Sequence, residues 1–533
     1  MTTAKRILKG LKPFYYSMLF FGLPFAFLQN TVAESDSLVI YTDLHFNSEF
    51  EEKYYSELLY EGTGAYEVLM SVNQRSDAKG IGMDKMMLKN EINKLKSLPK
   101  PRHKKNKYIK NIYSSVHDRF LKKYELRNYF NEVFHNGAYN CVSACALYAM
   151  VFDEMNIHYV IKETPNHVYI VAEPKVEQFL IETTDPRGGF NNFSQNFKSD
   201  FVNTLGLNKI ISQSELASQD VNTLFSKYYF TNTDLSLKEL VGLQYLNDGV
   251  FKAEDDDFIG AIQSFRKSYM LYPNDKTTDM LFLAITTQLN TNKYKNFDQI
   301  KLYGSLSSFD NKYIKDEELY NEFLRLTQQI LVDEGKALLY DSAFQYLSET
   351  VKRKTLQADI QYAYNYERGR ILFNRGKYRL ALKFIAEAYK VKPHNVDVES
   401  LFLSSLAEVI ESEEEETKRI EMLENVVQKH DNIMENNLFG GVYLNTYLLA
   451  MANAYESKKL TLGQTYQTKF ERTYESNPQF KVEKELIGHA YSKLAVYYFR
   501  RGQYTNARRA INKGLGFVPN NAELLARRRM MNY

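Results

Sequence analysis

Three short segments carry side chains from which a nucleophilic centre can be assembled: Tyr139-Asn140-Cys141-Val142-Ser143, Thr164-Pro165-Asn166-His167-Val168 and Glu182-Thr183-Thr184-Asp185-Pro186. A thiol, an imidazole and a carboxylate in that order are the parts of an acyl-transfer site. Cysteine sulfur attacks a carbonyl carbon as the thiolate, and a neighbouring base together with a helix N-terminus favours that form. Val142, Cys145, Ala146, Ala149 and Phe152 recur at three- and four-residue spacing, which predicts a buried helix over about 141–155 with Cys141 in its first turn. Asn140 is a good N-cap for it, and the unpaired N–H groups that follow carry partial positive charge.

Beyond the helix, Ile157 to Ile161 reads as a strand, and two more follow, His167 to about Ala172 and Phe179 to about Asp185, joined by the polar stretch 173–178. If that stretch closes an antiparallel hairpin, facing residue numbers sum to about 352, which sets Asp185 opposite His167 with Cβ atoms roughly 5 Å apart. The carboxylate then accepts from one ring nitrogen while the other faces the thiol. A slip of one residue turns Asp185 to the opposite face, and before Pro186 it equally suits a turn that ends the strand. Cys145 reads as a core residue, while His135 and His158 are weaker candidates for the base. Two cysteines four residues apart do not make a metal site, and no cofactor is implied. The N–H of Cys141 supplies one oxyanion donor, and Asn136, Tyr139 and Asn140 are each candidates for the second.

The segments 140–143, 163–168 and 182–186 resemble the transglutaminase-like branch of the papain-type cysteine-nucleophile superfamily, most of all its bacterial members that carry tetratricopeptide repeats behind the domain. The resemblance covers about residues 105–200. It implies an α+β domain, a helix packed on an antiparallel sheet, with Cys141 as nucleophile, His167 as acid and base, and Asp185 as the residue that orients the ring. Animal-type transglutaminases place Trp after the cysteine, whereas Val142 stands here and the chain has no Trp at all, which speaks against protein cross-linking. The superfamily includes peptidases, amidases and members that have lost activity.

From about residue 237 the sequence becomes helical and repeats. Gly249, Ala261, Phe265, Ser268 and Pro273 resemble the 34-residue tetratricopeptide pattern, and Gly369, Ala381, Ile385, Ala388 and Pro393 repeat it in phase, as do Ala495, Ala507, Ile511, Gly514 and Pro519. Small residues let paired helices approach closely, and proline ends the second helix. Between the clear repeats lie degenerate pairs such as Tyr447 to Pro478, so an all-α solenoid over 237–533 is expected, with a protein or peptide as its partner.

A chain of 533 residues calls for several domains, and its net charge of +3 suggests no nucleic-acid partner. The basic stretch Lys94 to Lys110 and the acidic run Glu413 to Glu416 read as solvated surface. Lys5, Arg6, Lys9 and Lys12 precede an apolar run from Phe14 to Leu28, and Thr31-Val32-Ala33 follows as a cleavage site. Residues 1–33 are therefore expected to be a signal peptide, or an uncleaved anchor that would be the only membrane contact. The expected order is that segment, a transglutaminase-like domain over 34–205, and the solenoid. The expected function is cysteine-dependent acyl transfer on an amide or peptide in the periplasm or cell envelope, with the repeats recruiting substrate or partner. Its rival is a non-enzymatic envelope scaffold with an inactive transglutaminase-like domain.

Overall fold

The computed structural model describes residues 38–531 save 74–77, 100–104, 165, 175–177, 186–187, 208–209, 230–232, 292–293 and 431. The expected signal or anchor, residues 1–33, lies outside the described residues. Among those described, no helix is long and apolar enough to cross a membrane. The chain divides into two compact units, one ending at Lys315 and the other beginning at Asp316.

The first unit opens with helices α1 (Glu49–Tyr60), α2 (Ala65–Ser71), α3 (Ala78–Lys96) and α4 (Lys105–Phe120). Short strands β1 (Lys123–Tyr124) and β2 (Ala138–Tyr139) pair in parallel around the one-turn helix α5 (Glu132–His135), and β2 leads through Asn140 into α6 (Cys141–Met155). Helix α6 has buried side chains on every side from Val142 to Ala149, as expected for a helix enclosed within a core, and it ends where Asn156 adopts the left-handed conformation, φ 53°. The predicted span of 141–155 coincides with it.

Five antiparallel strands follow: β3 (Tyr159–Thr164), β4 (His167–Ala172), β5 (Phe179–Ile181), β6 (Phe190–Asn192) and β7 (Thr233–Leu235), in the spatial order β6-β5-β4-β3-β7. Alternation splits their side chains between two faces. Ile161, Ile170 and Ile181 stand in register and are fully buried on one, whereas Tyr169, Val171 and Leu180 pack with Val160, Phe193, Phe197 and Tyr229 on the other. That second face is covered by α7 (Gln195–Leu207) and α9 (Val221–Tyr229), with α8 (Gln213–Ser218) between them, through an aromatic layer in which Phe225 and Tyr229 stack at 4.5 Å.

Helices α10 (Leu237–Glu254), α11 (Phe258–Leu271), α12 (Asp275–Thr291) and α13 (Phe297–Leu306) complete this unit. Sequence spacing assigns residues from 237 onward to the solenoid, but side chains fasten the first helical pair into the N-terminal unit. Lys267 on α11 and Glu51 on α1 form a fully enclosed ion pair at 2.6 Å, Tyr245 donates to the same carboxylate at 2.7 Å, and Tyr55 donates to the Lys267 carbonyl at 2.6 Å. Lys267 also lies 4.8 Å from the centre of the Tyr245 ring. Elsewhere Tyr129 donates to Asp248 at 2.9 Å, and Tyr272 and Lys276 both reach Glu163 on β3.

In the second unit, α14 (Asp316–Thr327) and α15 (Ala337–Thr350) precede α16 (Lys354–Asn374), α17 (Tyr378–Val391), α18 (Val396–Glu411), α19 (Glu416–Lys429), α20 (Asn437–Glu456), α21 (Leu460–Ser476), α22 (Lys484–Phe499), α23 (Tyr504–Phe517) and α24 (Ala522–Met530). Sequence neighbours pack as hairpins, and one apolar core runs from Ile385 to Leu524. The close approach expected of a small residue is visible in both units: a Cβ on Gly249 would collide with Phe265, and one on Gly369 with Ile385, each sixteen residues on. The coarse architecture is thus a small antiparallel sheet with helices, followed by a helical array.

Breaking an enclosed ion pair on one side only strands a charge. Lys267→Met is expected to lower the stability of the first unit by about 3–5 kcal/mol, and adding Glu51→Leu to restore much of that loss. Urea unfolding of the two variants checks it; equal stability of both would mean that water reaches the pair.

Candidate active site

The thiol is placed by its helix start. Asn140 Oδ1 accepts the Ser143 N–H at 3.0 Å while Ser143 Oγ accepts the Asn140 N–H at 2.9 Å, a reciprocal cap. Asn140 Nδ2 donates to the carbonyls of Leu126 and Asn128, at 3.2 and 3.3 Å, and Ser143 Oγ to Asn128 Oδ1 at 2.7 Å. Asn128 in turn donates to Glu132 at 3.1 Å and accepts from Gln244 of α10 at 3.3 Å. Asn128, Asn140 and Ser143 are at most 2 % exposed, so this network sits in a medium where an unmatched partner is costly. Cys141 comes out of it half-buried at the first helical position, where backbone N–H groups have no intrahelical acceptor.

His167 begins β4, held by the Thr164 hydroxyl, which donates to its carbonyl at 3.0 Å. Its Nε2 lies 2.8 and 2.9 Å from the two carboxylate oxygens of Glu182, and Cys141 stands close enough to the ring to raise its affinity for a proton. With Nε2 committed to Glu182, Nδ1 is the nitrogen left for sulfur. Thr184 fixes the carboxylate, its hydroxyl donating to Glu182 Oε1 at 2.7 Å and its N–H at 3.3 Å.

The carboxylate is therefore not that of Asp185. Pairs Ile170↔Ile181, Val171↔Leu180 and Ala172↔Phe179 sum to 351, one less than expected from the sequence. The hairpin closes where the Gln178 N–H donates to the Glu173 carbonyl at 3.1 Å, a pair whose numbers also sum to 351. An odd sum gives His167 the same face as even-numbered residues of the next strand. Glu182 is its diagonal neighbour there, within reach of a long side chain, and Asp185 has the wrong parity. Moreover β5 ends at Ile181, and the chain turns: Asp185 Oδ1 accepts the Gly188 N–H at 2.9 Å, and its carbonyl accepts from Gly189 and from the Tyr113 hydroxyl. Asp185 takes the turn role that its position before Pro186 also allowed.

The remaining candidates separate cleanly. Cys145 is fully buried, within 3.4 Å of the Val168 carbonyl and 3.6 Å of Thr183 Oγ1, and burial pushes its thiol well up. His135 pairs with Asp84 at 3.1 Å, and His158 is exposed. Of the oxyanion candidates, Asn140 spends its amide on the cap network, Asn136 accepts the Ala138 N–H at 2.8 Å, and Tyr139 is buried. Among the described residues no group of three or more His, Cys, Asp or Glu is arranged to hold a metal ion.

Electrostatics bind the three side chains together. Burial alone would push the His167 ring down, but the neighbouring Cys141 and the hydrogen-bonded Glu182 carboxylate outweigh that and lift it from 6.5 to about 10. Burial likewise would raise Glu182, yet His167 and Thr184 hold it below the usual carboxylate range. The arrangement can keep an imidazolium between a sulfur and a carboxylate across the neutral range. Compared with protein-family models and with curated proteins, the chain matches none.

Because the folded ring holds its proton more tightly than a free one, the stabilisation it contributes is complete below about pH 6.5 and is lost as pH rises through about 10. In an NMR titration the His167 ring signal is expected to stay flat from pH 5 to 8. Glu182→Gln should drop its midpoint by roughly one to three pH units, and Asp185→Asn should leave it in place. A ring that titrates near 6.5 in the unaltered protein would refute the pairing.

Proposed function

We propose that Cys141, His167 and Glu182 form the nucleophilic centre of a cysteine-dependent acyl transferase or hydrolase of transglutaminase-like fold. We infer also that it is exported and that the helical array is a tetratricopeptide-type solenoid recruiting the protein or peptide acted upon. The observation that carries this reading is the single imidazole that is hydrogen-bonded to a carboxylate and stands beside the half-buried sulfur at a helix start. Packing alone does not call for that combination, since Cys145, four residues on in the same helix, is buried without it.

The chemistry follows from the positions. Sulfur adds to an amide carbonyl carbon, and the developing oxyanion meets the Cys141 N–H. The imidazolium gives its proton to the amine as the C–N bond breaks, leaving a thioester and a neutral ring. Water, or a second amine, then attacks the thioester while His167 takes its proton, and the carbonyl collapse expels the thiolate. Glu182 holds the ring in place and stabilises its charged form, and Thr184 holds Glu182.

Iodoacetamide at pH 6 is expected to label Cys141 at least about tenfold faster than Cys145. His167→Ala should slow that labelling strongly, Glu182→Gln less, and Asp185→Asn hardly at all. Equal, slow labelling of both cysteines with no response to the His167 substitution would sink the nucleophile and leave the scaffold reading, in which this domain is inert and only the solenoid binds.

A further inference from the structure

The last helices carry a charge imbalance that neither the candidate site nor the repeat pattern calls for. Residues 484–533 hold ten Lys and Arg against two Glu and no Asp, a net +8, while the preceding 483 residues carry −5. A solvated helical face has to be polar, but mixed charges meet that need as well as one sign does. Glu456, Glu471 and Glu523 pair with Lys493, Lys513 and Arg527. Among the described residues no carboxylate pairs with Arg509, Arg528 or Arg529.

The fold gathers these cations at one end. Arg500 and Arg501 occupy the turn between α22 and α23, Arg508 and Arg509 lie in the first turns of α23, and Arg528 and Arg529 finish α24; all six are exposed. Arg508 donates to the Met531 carbonyl at 2.8 Å, which brings the end of α24 against the beginning of α23. Large apolar side chains share that end: Phe499 is 50 %, Tyr504 55 % and Met530 75 % exposed, with the rings of Phe499 and Tyr504 5.4 Å apart. Tyr504 and Arg508 are one turn apart on the same face of α23.

Cations beside protruding aromatic and thioether groups match a surface that is anionic outside and apolar just beneath. Arginine takes phosphate oxygens in bidentate fashion, and aromatic rings settle at the boundary between headgroups and acyl chains. A nucleic-acid backbone would use the arginines but would leave Met530 exposed to water. We propose that this end of the second unit docks on an anionic lipid bilayer, through a contact independent of the acyl-transfer site.

The chain has no Trp, so Phe499→Trp in the full-length protein provides one indole reporter at the proposed contact, and Tyr504→Trp an independent second. Emission from either is expected to shift to the blue with mixed phosphatidylcholine–phosphatidylglycerol vesicles, not with pure phosphatidylcholine, and to return at high salt. Adding Arg528→Gln and Arg529→Gln should weaken the partitioning by about thirtyfold, at roughly fivefold per arginine. Three results overturn the proposal: emission that stays put while the protein sediments with vesicles, a shift as large on neutral vesicles, or one reproduced by a single-stranded oligonucleotide, which would make the surface a nucleic-acid site.

Discussion

The first turn of α6, where Cys141 sits, is kept from fraying by buried polar groups rather than apolar ones. Asn128, Asn140 and Ser143 satisfy one another and the first turn of α6, and Asn128 spends its side-chain donor, its side-chain acceptor and its carbonyl on this one task. In a low-dielectric setting each member is held by the cost of leaving its partners unmatched. Gln244 extends the network to α10, so the helical pair counted as repeat by sequence spacing also braces the start of α6.

With Cys141 fixed, strand parity decides which carboxylate the sheet brings beside His167. Register in a hairpin with one face under a helix and the other under an aromatic layer cannot slip without turning Tyr169, Val171 and Leu180 out of their cluster. That apolar requirement, not any attraction between charges, puts Glu182 beside His167. The ion pair then forms between groups already in place, with Thr184 absorbing the remaining freedom of the carboxylate. Cys141 and Cys145 illustrate the same rule along the helix: one turn separates a half-buried thiol beside His167 from a fully buried one enclosed by backbone and Thr183.

The Glu51–Lys267 pair raises a different question, because enclosed ion pairs contribute little net stability compared with apolar side chains of the same size. What such a pair supplies is selectivity of docking: α11 can sit on α1 in only one way if the ammonium is to meet both the carboxylate, which also accepts from the Tyr245 hydroxyl, and the ring faces of Phe46 and Tyr245. The outcome is that the first helical pair belongs to the N-terminal unit, while an uninterrupted apolar core from Ile385 to Leu524 makes the second unit a body of its own.

Local order was legible in the residues themselves. The three- and four-residue apolar spacing and the capping Asn140 gave α6 its limits, the β-branched runs gave β3 and β4, and the in-phase small residues gave the helical hairpins, because each of these is a short-range preference of the chain. Cys141 and His167 were likewise legible, since a helix start and a strand start can be read from neighbours. The identity of the carboxylate was not, although Glu182 stood in the same quoted segment: a single residue in the centre of the 173–178 loop inverts which face every later side chain takes, and composition does not set that centre. Nor could spacing reveal that Lys267 would be enclosed with a glutamate 216 positions earlier, or that six arginines from two helices and a turn would meet at one end. Those juxtapositions are long-range, and only the packing of apolar faces, which is indifferent to the charges it carries along, decides them.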